Sequence, residues 1–140
     1  MTMPITRPAA TATALPWLLV LYCAASFAHF AHNAEFLGNY PNLPTWISRA
    51  GVYGAWFAQQ AIGVLGFMLY RRGRQLGGLF VMSAYAMFGF DGLVHYTRAP
   101  FAEHTVAMNL TIWTEVVAAA LLLLATTRLV IERSIHRPFA

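Results

Sequence analysis

Three stretches of an otherwise apolar chain carry imidazole and carboxylate groups at helical spacing. They are His29-Phe-Ala-His32-Asn-Ala-Glu35, Asp91-Gly-Leu-Val-His95, and the run from His104 through Met108 and Thr111 to Glu115. At about 100° per residue the three ionisable groups of the first stretch cover an arc of roughly 120°. Asp91 and His95, four apart, stand on one helical face, and His104 and Glu115 return to within about 20° of a common direction. Each stretch therefore offers a polar stripe to a neighbour.

Such groups do two kinds of chemistry. Imidazole and carboxylate on facing helices are the donor set for zinc, non-haem iron, manganese or copper. His29, His32, His95, Asp91 and Glu115 are the expected ligands, for one ion or for two bridged by a carboxylate, with zinc or iron foremost. The same groups serve as general acid and base, and Asp91, Glu115 and Glu35 are the expected catalytic carboxylates. Arg49, Tyr53, His104 and Asn109 are positioned to contact a substrate. The spacing is less specific than the inventory, because there is neither His-Glu-x-x-His nor a Glu-x-x-His pair of the soluble di-iron kind. A haem held by His29 or His32 opposite His95 is the redox alternative.

The plain structural readings stand beside these. Arg98, Glu103 and His104 fall in or beside a loop, where solvation is expected. His32, Glu35 and His95 are candidates for an interfacial position. An interhelical hydrogen-bonded network, with Arg49 as a possible partner, would account for Asp91, Glu115 and His29.

The elements that must position these groups are membrane helices. The chain has 140 residues, 59% hydrophobic and 10% charged, whereas a soluble domain carries about 25% charged residues. Four segments reach the roughly 20 apolar residues that a span needs, about 16–38, 47–70, 76–97 and 105–127. A polar segment, 1–15, precedes them and a basic tail, 128–140, follows. Pro16 is expected to open the first helix. Pro41 and Pro44 stop helical geometry between the first two spans, Arg71-Arg72-Gly73-Arg74 makes a short turn, and Thr97-Arg98-Ala99-Pro100 ends the third. The fold class expected is all-α, a single integral membrane domain built as an up-down-up-down four-helix bundle. Ala50, Gly54 and Ala58, spaced by four, offer a small-residue face for close packing of the second span.

All nine basic residues are arginines. Seven of them, Arg7, Arg71, Arg72, Arg74, Arg128, Arg133 and Arg137, fall on the side shared by both termini, which places that side in the cytoplasm. The +4 charge thereby reflects topology; no basic stripe with interleaved polar residues exists, and no nucleic-acid partner is expected. The single cysteine, Cys23, allows no intramolecular disulfide.

Counting from the outer helix ends at 1.5 Å per residue, Glu115 and His29 lie roughly 13 to 15 Å deep and Asp91 about 10 Å. A charge at the centre of a membrane helix costs at least about 2.5 kcal/mol, so groups at this depth mark function. The expected activity is a metal-dependent intramembrane enzyme acting on a lipid-like or isoprenoid substrate that enters from the bilayer. A bacterial inner membrane is the expected location, with the site toward the outer side. A metal-free acid–base isomerase or cyclase, a haem-binding electron-transfer protein, and an accessory or transport subunit of a larger complex are the alternatives.

Overall fold

The computed structural model describes residues 10–135, so Arg7, His136, Arg137 and the rest of both termini lie outside the described residues. Among the described residues the chain is all-helical. Helix α1 runs Ala10–Glu35, α2 Arg49–Arg71, α3 Gln75–Met87, α4 His95–Arg98 and α5 Val106–Ile135. A seven-residue 3-10 stretch, Phe88–Val94, joins α3 to α4, so the third span is continuous in length but mixed in geometry. Four segments, Thr11–Glu35, Arg49–Arg71, Gln75–Arg98 and Val106–Ile135, are long and apolar enough to cross a membrane. Their outward faces carry Trp17, Phe57, Phe80, Leu110, Leu124 and many more exposed apolar side chains. Water does not support so large an apolar surface. Hydrocarbon does, provided that each backbone amide is satisfied within its own helix.

Several boundaries differ from those the sequence suggests. Pro16 lies inside α1, which is already helical at Ala10. The proline forgoes one bond, to the carbonyl of Ala12, yet its fixed φ suits a helix and the small residues before it continue the coil. Helix α5 runs through Ile135, so Arg128 and Arg133 are helical rather than part of a tail. At about 45 Å it exceeds a hydrocarbon core of about 30 Å. The excess carries a surface pair, Arg128 Nε donating to Glu132 Oε1 at 2.7 Å.

The turns are built from identifiable residues. The Ser48 side chain caps α2 by accepting from the Gly51 amide at 3.1 Å. At the other end Gly73, with φ +84°, lets the Arg74 amide reach the Leu69 carbonyl and its own amide the Tyr70 carbonyl. This paired arrangement, which closes a helix with a left-handed residue, favours glycine there. Arg133 donates to the Tyr70 hydroxyl at 2.8 Å, tying the end of α5 to the end of α2. The connections 36–48 and 99–105 meet at the opposite end, where the Asn42 side-chain amide donates to the Arg98 carbonyl.

Close packing does not use the small-residue face expected on α2. Ala50, Gly54 and Ala58 are all exposed, and a methyl group added at Gly54 would touch nothing. The helices instead approach at other glycines. A Cβ on Gly78 would stand 2.5 Å from the Tyr70 amide nitrogen, and one on Gly66 would stand 2.8 Å from Met82 Cγ. One on Gly89 would lie 2.4 Å from Ala119 Cβ and 2.7 Å from the Tyr22 ring. Membrane helices gain by van der Waals contact rather than by expelling water, so backbone approach at small residues is what holds α2 on α3 and the third span on α1 and α5. The core around them is Leu15, Tyr22, Leu79, Met82, Tyr85, Ala119 and Leu122.

This contrast is testable by unfolding in detergent followed by tryptophan fluorescence. Gly78→Ala is expected to lose about 1 to 3 kcal/mol, because backbone must move to admit the methyl. Gly54→Ala should change stability by less than about 0.5 kcal/mol.

Candidate functional site

The centre of the site is a buried pair. His29, from α1, is 3% exposed and Glu115, from α5, is 1% exposed. His29 Nδ1 and Glu115 Oε2 are in close hydrogen-bonded contact. The long packing of α1 against α5 sets the two side chains face to face. Room for the imidazole comes from Gly92 in the 3-10 stretch, where an added Cβ would lie 3.0 Å from His29 Cε1 and 3.3 Å from Ile112 Cγ2. A larger residue there would displace the ring.

Around the pair lies a row of histidines. The His95 ring centroid is 5.6 Å from that of His29 and 6.2 Å from that of His104. His95 and His104 are 8% and 6% exposed. His104 is therefore enclosed rather than solvated as its loop position suggests, because the connection folds back so that His104 Nδ1 donates to the Pro100 carbonyl at 3.1 Å. Asn109 holds that fold. Its amide nitrogen donates to the carbonyls of Phe101 and His104, both at 3.3 Å, and its oxygen accepts from the Tyr96 hydroxyl at 2.8 Å. Asn109 is thus engaged with the chain itself.

Tyr40 was not anticipated as part of the site. It is 4% exposed, its ring lies 4.8 Å from the His95 ring, and its hydroxyl is hydrogen-bonded to His32 Nδ1 at 2.9 Å. Burial pushes the Tyr40 hydroxyl up to about 12, against an opposing contact with Thr111, so it remains a neutral phenol. Asn33 is a second addition, its side-chain nitrogen 3.4 Å from His95 Nε2. The only sequence signal for Asn33 was its place inside the His29–Glu35 stripe.

The structure does not gather all the expected residues. Asp91 is exposed and has no hydrogen bond or ion pair among the described residues. The 3-10 geometry explains its separation from His29 and Glu115. Four residues turn through about 480° at three residues per turn, against about 400° in an α-helix, so Asp91 and His95 leave the common direction that α periodicity implies. Glu35, Arg49 and Tyr53 form their own group on the outside of the bundle. Glu35 Oε1 accepts from Arg49 at 2.7 Å and from the Tyr53 hydroxyl at 2.8 Å. Exposed pairs of this kind contribute little stability.

Asp91 and His95 meet again at a cavity. It has a volume of about 360 Å³ and lies between α1, α2 and the third span, lined by Asn33, Trp46, Ser48, Asp91, His95 and Arg98 among others. His29 and Glu115 do not line it and stand behind His95. Among the described residues no group of three or more His, Cys, Asp or Glu side chains is placed to hold a metal ion. Several buried polar atoms nevertheless lack a partner: His29 Nε2, His104 Nε2, Asn33 Oδ1 and Glu115 Oε1.

Comparison with protein-family models, curated proteins and solved structures finds no match for this chain. Its function is therefore argued from the site.

The buried pair makes an energetic prediction. Removing one member leaves the other buried and uncompensated, so His29→Leu and Glu115→Leu are each expected to cost about 3 to 5 kcal/mol. The double variant should be more stable than the sum of the two losses predicts, since it leaves no orphaned group. Additive losses in chemical unfolding would show that the two side chains do not depend on each other.

Proposed function

We propose that this protein is an intramembrane enzyme that moves protons on a lipid-like substrate, as an isomerase or cyclase, with His95 and Asp91 as the groups facing the substrate. One observation carries the reading: His95 and Asp91 line one cavity beside α1 and α2, while the His29–Glu115 pair packs behind His95. In this scheme one cavity group delivers a proton to the substrate and the other removes one. The formula of the substrate is unchanged and no oxidant is needed. The His29–Glu115 pair orients the row by packing behind His95, a positioning role.

A metal-dependent version has its own support. His104 Nδ1 is committed to a backbone carbonyl and His29 Nδ1 to a carboxylate, which leaves both Nε2 atoms buried and unpartnered. Metal-binding histidines characteristically use their second nitrogen in this way. In that version His29, His95 and His104, whose rings are not spaced to share an ion as they stand, would close on zinc or iron, which would polarise a substrate oxygen.

The bundle is read as up-down-up-down, with both termini in the cytoplasm of a bacterium and the site toward the outer face of its inner membrane. Arg71, Arg72, Arg74, Arg128 and Arg133 all lie on the side away from the site, and that asymmetry supports the orientation.

The chemistry is tested by incubating the reconstituted protein with total membrane lipid extract in deuterated water. Deuterium is expected to enter a lipid species, and Asp91→Asn or His95→Gln should slow that entry at least about 100-fold. No enzyme-dependent incorporation would remove the proton-transfer reading. Elemental analysis of the same preparation separates the two versions: stoichiometric zinc or iron that is lost in His104→Ala selects the metal, and its absence selects the imidazole and carboxylate alone. For orientation, a cysteine placed at Gly38 in a Cys23→Ala background should react with an impermeant maleimide added to intact spheroplasts, and one placed at Gly73 should not. The reverse pattern would invert the topology.

A further inference from the structure

The cavity at His95 has a second one below it along the same seam between α1 and α2. This lower cavity, about 280 Å³, is lined by Leu19, Val20, Cys23, Gln60, Val64 and Phe67, among others. It is almost wholly apolar, whereas the upper cavity is ringed by Asn33, Ser48, Asp91, His95 and Arg98. From Asn33 to Val20 along α1 the two together cover on the order of 20 Å. Between them Phe27 meets Trp56 edge to face, with ring centroids 5.0 Å apart.

The seam also collects buried polar atoms without partners. Gln60 accepts from the Tyr85 hydroxyl at 2.6 Å through Oε1, but its Nε2 is buried and unpartnered. Trp56 Nε1, between the cavities, is likewise buried and unpartnered, as is one end of the Asn33 amide in the upper cavity. Burying such groups without a partner within a membrane is costly. Their neighbour Gln59, by contrast, is satisfied by the Tyr22 hydroxyl at 2.6 Å. Three of the unmatched atoms, on Asn33, Trp56 and Gln60, thus lie along the groove, while the others belong to the His29, His104 and Glu115 cluster and to Arg133.

We propose that the α1–α2 seam binds one elongated lipid lengthwise, its hydroxyl head in the upper cavity beside Asn33 and His95 and its hydrocarbon chain in the lower cavity against Leu19, Val64 and Phe67. A hydroxyl both donates and accepts, so it satisfies the free end of the Asn33 amide in either orientation and brings an oxygen to the cavity that holds His95 and Asp91. Val20 and Val64 are 62% and 58% exposed, so the chain enters sideways from the bilayer without passing through water. This inference rests on the reading of the His95 cavity as the reaction site, since it names the substrate class for that site.

The probe is a long-chain primary alcohol carrying a photoactivatable diazirine in its chain, added to the full-length protein in liposomes, with adducts located by peptide mass spectrometry. Adducts are expected on residues 16–27 and 56–67. Val64→Trp, which fills the lower cavity from its exposed side, should reduce them at least about fivefold. Leu124→Trp, on the exposed face of α5, should leave them unchanged, and a matched diazirine alkane lacking the hydroxyl should label the seam more weakly. Unchanged thermal unfolding of Val64→Trp serves as the folding control. Adducts spread evenly over exposed residues of all four spans, or undiminished in a folded Val64→Trp, would overturn the seam as a lipid site. Glu115→Gln, outside both cavities, separates the two proposals: it should keep the seam labelling while slowing deuterium exchange, and loss of labelling in the folded variant would count against the seam. Seam labelling retained without any deuterium exchange in the native protein would leave the binding site standing and remove the acid–base reading.

Discussion

The contact between His29 and Glu115 is the constraint around which the upper half of the bundle is arranged. Neither group tolerates an apolar interior alone, so the helices that carry them, α1 and α5, must run side by side at that level. The third span then has to pass across the imidazole, and it does so with Gly92, the residue whose missing side chain leaves space for the ring. One turn lower, Gly89 lets the same strand of backbone lie against Tyr22 and Ala119. The 3-10 geometry of Phe88–Val94 coincides with this close passage, and Asp91 within it lies outward, on the cavity, rather than inward at the pair.

The seams between helices differ in kind. Between α2 and α3, glycine against backbone makes the contact dense, with Gly66 and Gly78 each facing the other helix at distances that admit no side chain. Between α1 and α2 the contact is made by polar and aromatic bridges, Gln59 to Tyr22 and Phe27 to Trp56, and cavities open above and below them. Dense seams give rigidity and a bridged seam gives access. In a bilayer, which supplies an apolar solvent at every exposed surface, such a seam does not collapse for lack of a hydrophobic drive. The His29–Glu115 pair thus rests on close packing while cavities open along the neighbouring seam.

Much of the candidate site was legible because polar residues in apolar segments are conspicuous. His29 and Glu115 stand out by type and depth and His95 by type alone, and all three are buried. Other residues were readable as polar but not as to partner. Glu35, Arg49 and Tyr53 satisfy one another on the outside, and Asn109 is occupied with the 99–105 connection. His104 looked solvated from its place in a loop, and only the fold of that loop encloses it. Tyr40 gave no signal beyond an aromatic at a helix end, since its proximity to His95 joins residues 55 positions apart.

The amino-acid sequence by itself determined that four helices form and that each is long and apolar enough to cross a membrane, because span length and backbone satisfaction in hydrocarbon are local requirements. It also showed which of those segments carry the imidazole and carboxylate groups. Tertiary structure alone decided which of them meet. An α-helical period places Asp91 and His95 on one face, but the 3-10 stretch Phe88–Val94 rotates them apart. A four-residue spacing of Ala50, Gly54 and Ala58 suggests an interface, yet the helix turns that face outward because Gly63, Gly66 and the glycines of the third span fit closer. Periodicity measures direction about one helix axis. The rotation of each helix against its neighbours is settled by packing among all four.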